Sequence, residues 1–151
     1  MNQVVVKQEK SGYQIVEAYK SLRTNLQFCG EDKKVIAVTS CTPNEGKSSV
    51  SMQLGISLAE SGKRVILIDA DLRKSVLLGR TKTQKSVRGL AHFLSGQATL
   101  EDVICSTNVK NFYMIYSGPF PPNPAELLGG KNFRSLLNAL RKVYDYVIVD
   151  T

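Results

Sequence analysis

The fold of this chain is decided by one stretch of sequence, Val35-Ile-Ala-Val-Thr-Ser-Cys41-Thr-Pro-Asn-Glu-Gly46-Lys47-Ser48. A short apolar strand runs into a loop that matches G-x-x-x-x-G-K-[ST], except that Cys41 takes the place of the first glycine. Backbone N–H groups of such a loop wrap phosphate groups, so Gly46 is needed where the backbone approaches them closely. We therefore predict a phosphate-binding loop in which Lys47 reaches the β- and γ-phosphates and the Ser48 hydroxyl reaches Mg²⁺.

Acidic residues end two other apolar strands. Val65-Ile-Leu-Ile-Asp69-Ala-Asp71 carries two carboxylates, and Asp150 follows the run Tyr146–Val149. In a parallel sheet these strand ends lie on the edge that also carries the phosphate loop. The carboxylates suit Mg²⁺ coordination through water and proton acceptance from an attacking hydroxyl. A lone aspartate at a strand end is commonly a turn or capping residue, but three on one edge favour a site.

The remaining pattern alternates between helix and strand, which predicts an α/β fold with a mainly parallel sheet flanked by helices. The predicted strands are Val35–Thr39, Arg64–Ala70, Phe112–Tyr116 and Tyr146–Val149. The predicted helices are 12–28, Lys47–Ser61, Val87–Leu94, Thr99–Ser106, one starting at Asn123-Pro124, and one marked by Phe133, Leu136, Leu137 and Leu140. We expect residues 1–32 to form an N-terminal helical segment for oligomerisation and residues 33–151 a P-loop nucleotide-binding domain. Because the last strand ends at Asp150-Thr151, we expect that this domain is incomplete at its C-terminus.

Composition sets limits on the class of protein. The chain has 151 residues, 42% hydrophobic and 22% charged, which is typical of a globular domain and excludes a disordered tail. Three scattered cysteines and one histidine argue against a disulfide scaffold and a histidine-rich metal site. We interpret His92, Cys29 and Cys105 as packing or surface residues. The net charge is +7, and the basic run from Arg73 to Arg88 suits phosphates, an acidic partner, nucleic acid, an anionic membrane or plain solvent.

The three motifs together resemble the bacterial tyrosine kinases (BY-kinases), whose P-loop NTPase fold is MinD/ParA-like. The resemblance rests on Ser40–Ser49, on Ile66–Lys74 with its second acidic motif, and on Tyr144–Thr151, and it extends to Pro121–Leu128. It implies an autophosphorylating, ATP-dependent protein-tyrosine kinase that regulates capsule and exopolysaccharide synthesis and export, with ATP and Mg²⁺ as cofactors. The implied catalytic residues are Lys47, Asp69 and Asp71. The implied nucleotide-binding residues are Thr42, Pro43, Asn44, Glu45, Gly46, Lys47, Ser48 and Ser49, and the implied metal residues are Ser48, Asp69, Asp71 and Asp150.

The resemblance also implies partners. The family's helix motif of Glu, Arg and Arg at spacings of three joins subunits into rings, and here it reads Glu17, Lys20 and Arg23. The other implied partners are a membrane-bound activator of the polysaccharide co-polymerase type and protein tyrosine substrates, with no nucleic acid. The implied location is cytoplasmic and peripheral, at the inner face of the membrane through the activator.

Two alternatives stay open. A MinD/ParA-type ATPase that binds membrane or DNA shares the loop geometry, but its signature lysine would fall at Thr42. An inactive nucleotide-binding remnant is the other alternative, because family members continue beyond the last strand and usually end in a tyrosine cluster.

Overall fold

The computed structural model describes residues 1–6, 35–38, 47–70, 81–83, 88–118 and 123–150. The predicted helix over 12–28, the ring motif, the loop residues 41–46, Asp71 and most of the basic run lie outside these ranges. The proposed division of the chain after residue 32 stays a prediction.

Helices and strands alternate along the described residues, as predicted. The strands are β1 (Asn2–Val6), β2 (Val35–Val38), β3 (Val65–Asp69), β4 (Thr81–Thr83), β5 (Cys105–Thr107), β6 (Phe112–Ile115) and β7 (Tyr146–Asp150). The helices are α1 (Lys47–Glu60), α2 (Leu90–Leu94), α3 (Leu100–Val103), α4 (Pro124–Leu128) and α5 (Lys131–Val143).

Within the described ranges these strands form one seven-stranded sheet in the order β2-β7-β3-β6-β5-β1-β4. β2, β7, β3 and β6 are mutually parallel, and β5 is parallel to β1. β5 is antiparallel to β6, and β4 is antiparallel to β1. The prediction of a mainly parallel sheet flanked by helices is therefore confirmed, and β2, β7, β3 and β6 end on one common edge.

The central strands are buried on both faces, which explains their uninterrupted apolar sequence. Val65 and Leu67 of β3 join one core cluster, which also contains Leu54 and Leu58 of α1. Ile66 and Ile68 point to the other face and join a second cluster, which contains Leu136 and Leu140 of α5. Helices α1 and α5 therefore cover opposite faces of the sheet.

The predicted helix over Thr99–Ser106 is wrong in its second half. Helix α3 is a single turn, in which the Thr99 hydroxyl accepts from the Asp102 N–H (3.3 Å) and the Thr99 N–H donates to Asp102 Oδ2 (3.1 Å). Cys105–Thr107 then forms strand β5, because β1 and β6 offer backbone partners on its two sides. The predicted helix Val87–Leu94 likewise begins later, at Leu90.

Four of the strands were predicted from the sequence, whereas β1, β4 and β5 were not. Val4 and Val6 of β1 are buried, whereas Val5 between them is exposed. The polar run that follows concealed this short alternation. Strand β1 also pairs with residues about a hundred positions away, which no local pattern reveals.

Candidate active site

Two buried carboxylates lie side by side at the common strand edge. Asp69 ends β3 and Asp150 ends β7, and they are direct register partners in parallel strands. Neighbouring strands lie about 4.8 Å apart, so the two side chains emerge next to each other. Each residue is only 1% exposed. The Ala70 N–H donates to the Asp150 carbonyl oxygen (2.9 Å), which carries the pairing one residue past Asp69.

Helix α1 supplies the second part of the site. Strand β2 runs parallel to β7, with Val38 opposite Asp150, so the chain leaves β2 at the edge where the carboxylates lie. The chain re-enters the described part at Lys47, where α1 begins, and α1 packs against β3 and β7. Lys47, Ser48 and Ser49 therefore lie in the first turn, where the helix macrodipole is positive. The predicted strand and helix on either side of the loop are confirmed.

These residues fit a magnesium–nucleotide group. Carboxylate oxygens are the ligands that Mg²⁺ prefers, and a helix N-terminus suits phosphate. Within the described ranges the two aspartates are not joined by a third histidine, cysteine, aspartate or glutamate that completes a metal cluster. The predicted third carboxylate, Asp71, and the loop residues Thr42–Gly46 lie outside those ranges, so their roles stay predictions.

The end of β6 carries a feature that was not predicted from the sequence. The N–H groups of Leu90 and Ala91 donate to the carbonyl oxygens of Tyr116 and Ser117 (2.6 and 2.9 Å), which fastens α2 to the residues after β6. Gly89 lies so close to this turn that a Cβ on it would meet the Gly118 nitrogen at 2.3 Å. The His92 Nδ1 accepts the Gly89 N–H (2.9 Å), so His92 has the packing role predicted for it. Two glycines and a histidine thus fix the start of α2 against the residues that follow β6, the strand next to β3.

The tyrosines of the described part are poorly placed as phosphate acceptors. Tyr116, Tyr144 and Tyr146 are buried, and Tyr113 is half-buried. The rings of Tyr113 and Tyr144 meet edge to face (centroids 5.3 Å apart), and the Arg64 guanidinium lies 5.3 Å from the Tyr144 centroid. Burial raises the pKa of the Tyr144 hydroxyl, and Arg64 partly offsets that rise. Tyr116, Tyr144 and Tyr146 are therefore core residues.

Comparisons with known proteins agree with this geometry. The family described as AAA domain matches residues 33–151. The tyrosine-protein kinase CpsD of Streptococcus agalactiae is 44% identical over 135 residues, which are 89% of this chain and 59% of CpsD. The kinase domain of the Escherichia coli tyrosine kinase ETK superposes with a TM-score of 0.83 at 31% identity, covering 98% of this chain and 68% of that domain. The chain belongs to the bacterial tyrosine kinases.

The bacterial tyrosine kinase fold also relates this chain to a cell-division ATPase. The septum site-determining protein MinD of Pyrococcus horikoshii, solved with Mg-ADP, matches with a TM-score of 0.63 at 27% identity, over 78% of this chain and 49% of MinD. The fold is therefore that of nucleotide-binding P-loop ATPases. This member of the kinase family spans 59% of the length of CpsD. Among the helices that the structure describes, none is long and apolar enough to cross a membrane.

Proposed function

We propose that this chain is the nucleotide-binding and catalytic part of an ATP-dependent protein-tyrosine kinase that regulates capsule and exopolysaccharide synthesis and export. One observation carries the proposal: Asp69 and Asp150, both 1% exposed, are register partners at the strand edge from which the chain passes to α1. Carboxylate oxygens are the ligands that Mg²⁺ prefers, and two of them side by side at the edge where the phosphate-loop strand ends suit a magnesium–nucleotide group.

The residues of this edge take distinct roles in the proposed reaction. Lys47 binds the β- and γ-phosphates, and Ser48 and Asp150 hold the metal. Of Asp69 and Asp71, one supports the metal and the other accepts the proton of the tyrosine hydroxyl. Magnesium, when bound with ATP, neutralises charge that develops on the transferred phosphoryl group. The tyrosine hydroxyl has a pKa near 10, so a carboxylate helps only once that group is engaged.

The proposed partners follow the family. A membrane-bound activator holds the kinase peripherally at the inner face of the membrane, and Glu17, Lys20 and Arg23 take part in ring assembly. Protein tyrosines are the substrates. The described tyrosines do not supply them, since three of the four are buried.

Nucleotide binding is tested first with thermal melts of the 151-residue chain. Mg-ADP at about 100 times its dissociation constant stabilises a binding protein by about 2.7 kcal/mol, a shift of several degrees. We expect this shift in the parent and in the control Lys63→Met, which changes an exposed lysine elsewhere. We expect none in Lys47→Met. A parent without a shift, or a Lys47→Met variant with the full shift, contradicts the assignment.

Kinase activity is tested in a chimera in which this chain replaces the matching 135 residues of CpsD. With Mg-ATP we expect the chimera to form phosphotyrosine on itself and on a tyrosine peptide, and its Asp71→Asn variant to form none. A chimera that binds and hydrolyses ATP without forming phosphotyrosine would place the chain with the MinD-type ATPases instead. A chimera that binds nucleotide but neither hydrolyses ATP nor forms phosphotyrosine would favour the inactive nucleotide-binding remnant.

A further inference from the structure

Helix α5 presents a row of cations to solvent. Its 13 residues bury Leu136 and Leu140 against the sheet and half-bury Phe133 and Leu137. Lys131, Arg134, Arg141 and Lys142 are all exposed. At 100° per residue, these four fall within about 100° of the helix circumference, opposite the buried leucines. We call these four residues the basic stripe; it runs along about 18 Å of helix.

Helix α5 itself carries no acidic residue. The sequence has no aspartate or glutamate between Glu126 and Asp145. Surface helices ordinarily mix the two signs, because like charges three or four residues apart repel and opposite charges attract. Lys131 and Arg134 are such a repelling pair.

The stability of the helix accounts for only two of the four cations in the basic stripe. Arg141 and Lys142 lie in the last turn, where cations are stabilised by the helix macrodipole, and Arg141 also interacts within the chain. Lys131 lies in the first turn, where a cation opposes the macrodipole. Binding of an external anion accounts for Lys131 and Arg134, whose charges do not stabilise the isolated helix.

We propose that the basic stripe of α5 is a docking surface for an anionic membrane, with lipid headgroups as its ligands. Cations in line along a straight helix meet a plane together, whereas a duplex curves away from the ends of such a row. Asn138 lies within the arc of the basic stripe and Ser135 lies next to it, and their short side chains do not hold the cations away from a flat surface.

This surface stands apart from the phosphoryl-transfer site. The basic stripe contains none of the residues to which the proposed function gives a role. Single lipid contacts are weak, and stable membrane attachment takes two signals. The basic stripe supplies one such signal, in addition to any protein partner at the membrane.

The test measures co-sedimentation of the 151-residue chain with phosphatidylglycerol–phosphatidylcholine vesicles, using pure phosphatidylcholine vesicles as reference. We expect binding only to the anionic vesicles, and release as the salt rises from about 0.05 M to about 0.3 M. Because each cation near an anionic surface contributes about fivefold in partition, Lys131→Gln with Arg134→Gln should weaken binding by about tenfold or more.

A matched control separates the basic stripe from net charge. Lys63→Gln with Lys110→Gln removes two exposed lysines from turns outside α5, and we expect less than about a twofold change. Melting curves check that each variant folds, and Lys142→Glu provides an independent change at the other end of the helix. The Mg-ADP shift should persist in all of these variants, so failure here is distinguishable from failure of the kinase proposal.

Three outcomes would overturn the proposal. The first is a parent chain that binds anionic and neutral vesicles equally or not at all. The second is an equal loss in the stripe and control variants. The third is duplex DNA that binds through Lys131 and Arg134 at a salt concentration where vesicles do not, which would make α5 a polynucleotide surface.

Discussion

At the scale of single residues, Asp150 tests the proposed magnesium site. Replacing Asp150 by Asn removes a carboxylate oxygen of the kind that Mg²⁺ prefers while keeping the side chain's shape. We expect the variant to melt cooperatively and to lose its response to Mg-ADP. Paired melts with and without Mg-ADP measure this, and Glu101→Gln, an exposed change, is the control. A variant that still shows the full Mg-ADP shift would remove Asp150 from the site.

Burial lowers the reactivity of the Cys105 thiol. Its side chain is fully buried, and burial raises its pKa to about 11. The thiolate is the reactive form, so we expect native Cys105 to resist alkylation at pH 8 by about a hundredfold or more relative to the unfolded chain. Timed labelling followed by peptide mass analysis measures this for each cysteine separately. Labelling of Cys105 at equal rates in the native and urea-unfolded chain is the contrary result.

The same thiol sets a limit on alkaline stability. The folded-state pKa lies above the unfolded value of 9.0, so its contribution is complete below pH 9 and is lost as pH rises towards 11. Two pKa units correspond to about 2–3 kcal/mol. Melts of the parent and Cys105→Ala over this range should therefore converge as pH rises. Parallel curves would contradict the assignment.

A substitution at Gly89 tests how closely the start of α2 approaches the residues after β6. A methyl group there would lie 2.3 Å from the Gly118 nitrogen, and backbone atoms cannot move aside cheaply. We expect Gly89→Ala to cost about 2–4 kcal/mol in unfolding free energy, within the range of strongly destabilising mutations. Gly96→Ala is the matched control, because Gly96 has a positive φ of 80° but open space around it, so only about 1 kcal/mol of backbone strain applies. Urea unfolding ranks the two, and an equal cost would refute the clash.

At the scale of elements, α1 packs on the sheet through a glycine. A Cβ on Gly55 would lie 2.5 Å from Phe112 Cε1, on a ring that is 1% exposed. Alanine ordinarily stabilises a helix by up to about 1 kcal/mol over glycine, but here we expect Gly55→Ala to destabilise by about 1–3 kcal/mol. A double-mutant cycle with Phe112→Leu should recover part of the loss, because the smaller side chain makes room. Strict additivity in urea unfolding would show that the two residues do not compete for space.

The elements also show where sequence reasoning succeeds and where it stops. β3 and β7 were predictable because strands buried on both faces need continuous apolar runs. The start of α4 was predictable from its proline, and Asn123 Nδ2 contacts Glu126 Oε2 there (3.2 Å). β5 is three residues long and carries Cys105, Ser106 and Thr107, so its extended form comes from its neighbours and not from its own pattern. The intrinsic β-propensity of the residues does not predict pairing of that kind.

At the scale of the whole molecule, the edge that carries the two aspartates could be predicted without knowing the order of the strands. Parallel strands end on one edge, so Asp69 and Asp150 had to share an edge once both strands were predicted. That they are direct neighbours depends on β7 entering between β2 and β3, which the sequence does not encode locally. The Gly89–Gly118 contact was hidden for the same reason, since it joins two turns from different parts of the chain.

The strand order has a further consequence for how the protein is made. β2 and β3 both pair with β7, and they do not pair with each other. During translation they emerge from the ribosome long before their shared neighbour, and each keeps an open hydrogen-bonding edge until then. Unpaired strand edges of this kind can form non-native pairs, and pairing between strands that are far apart in the sequence is slow. The carboxylate pair therefore assembles late: it forms only when the polypeptide that carries β7 has left the exit tunnel.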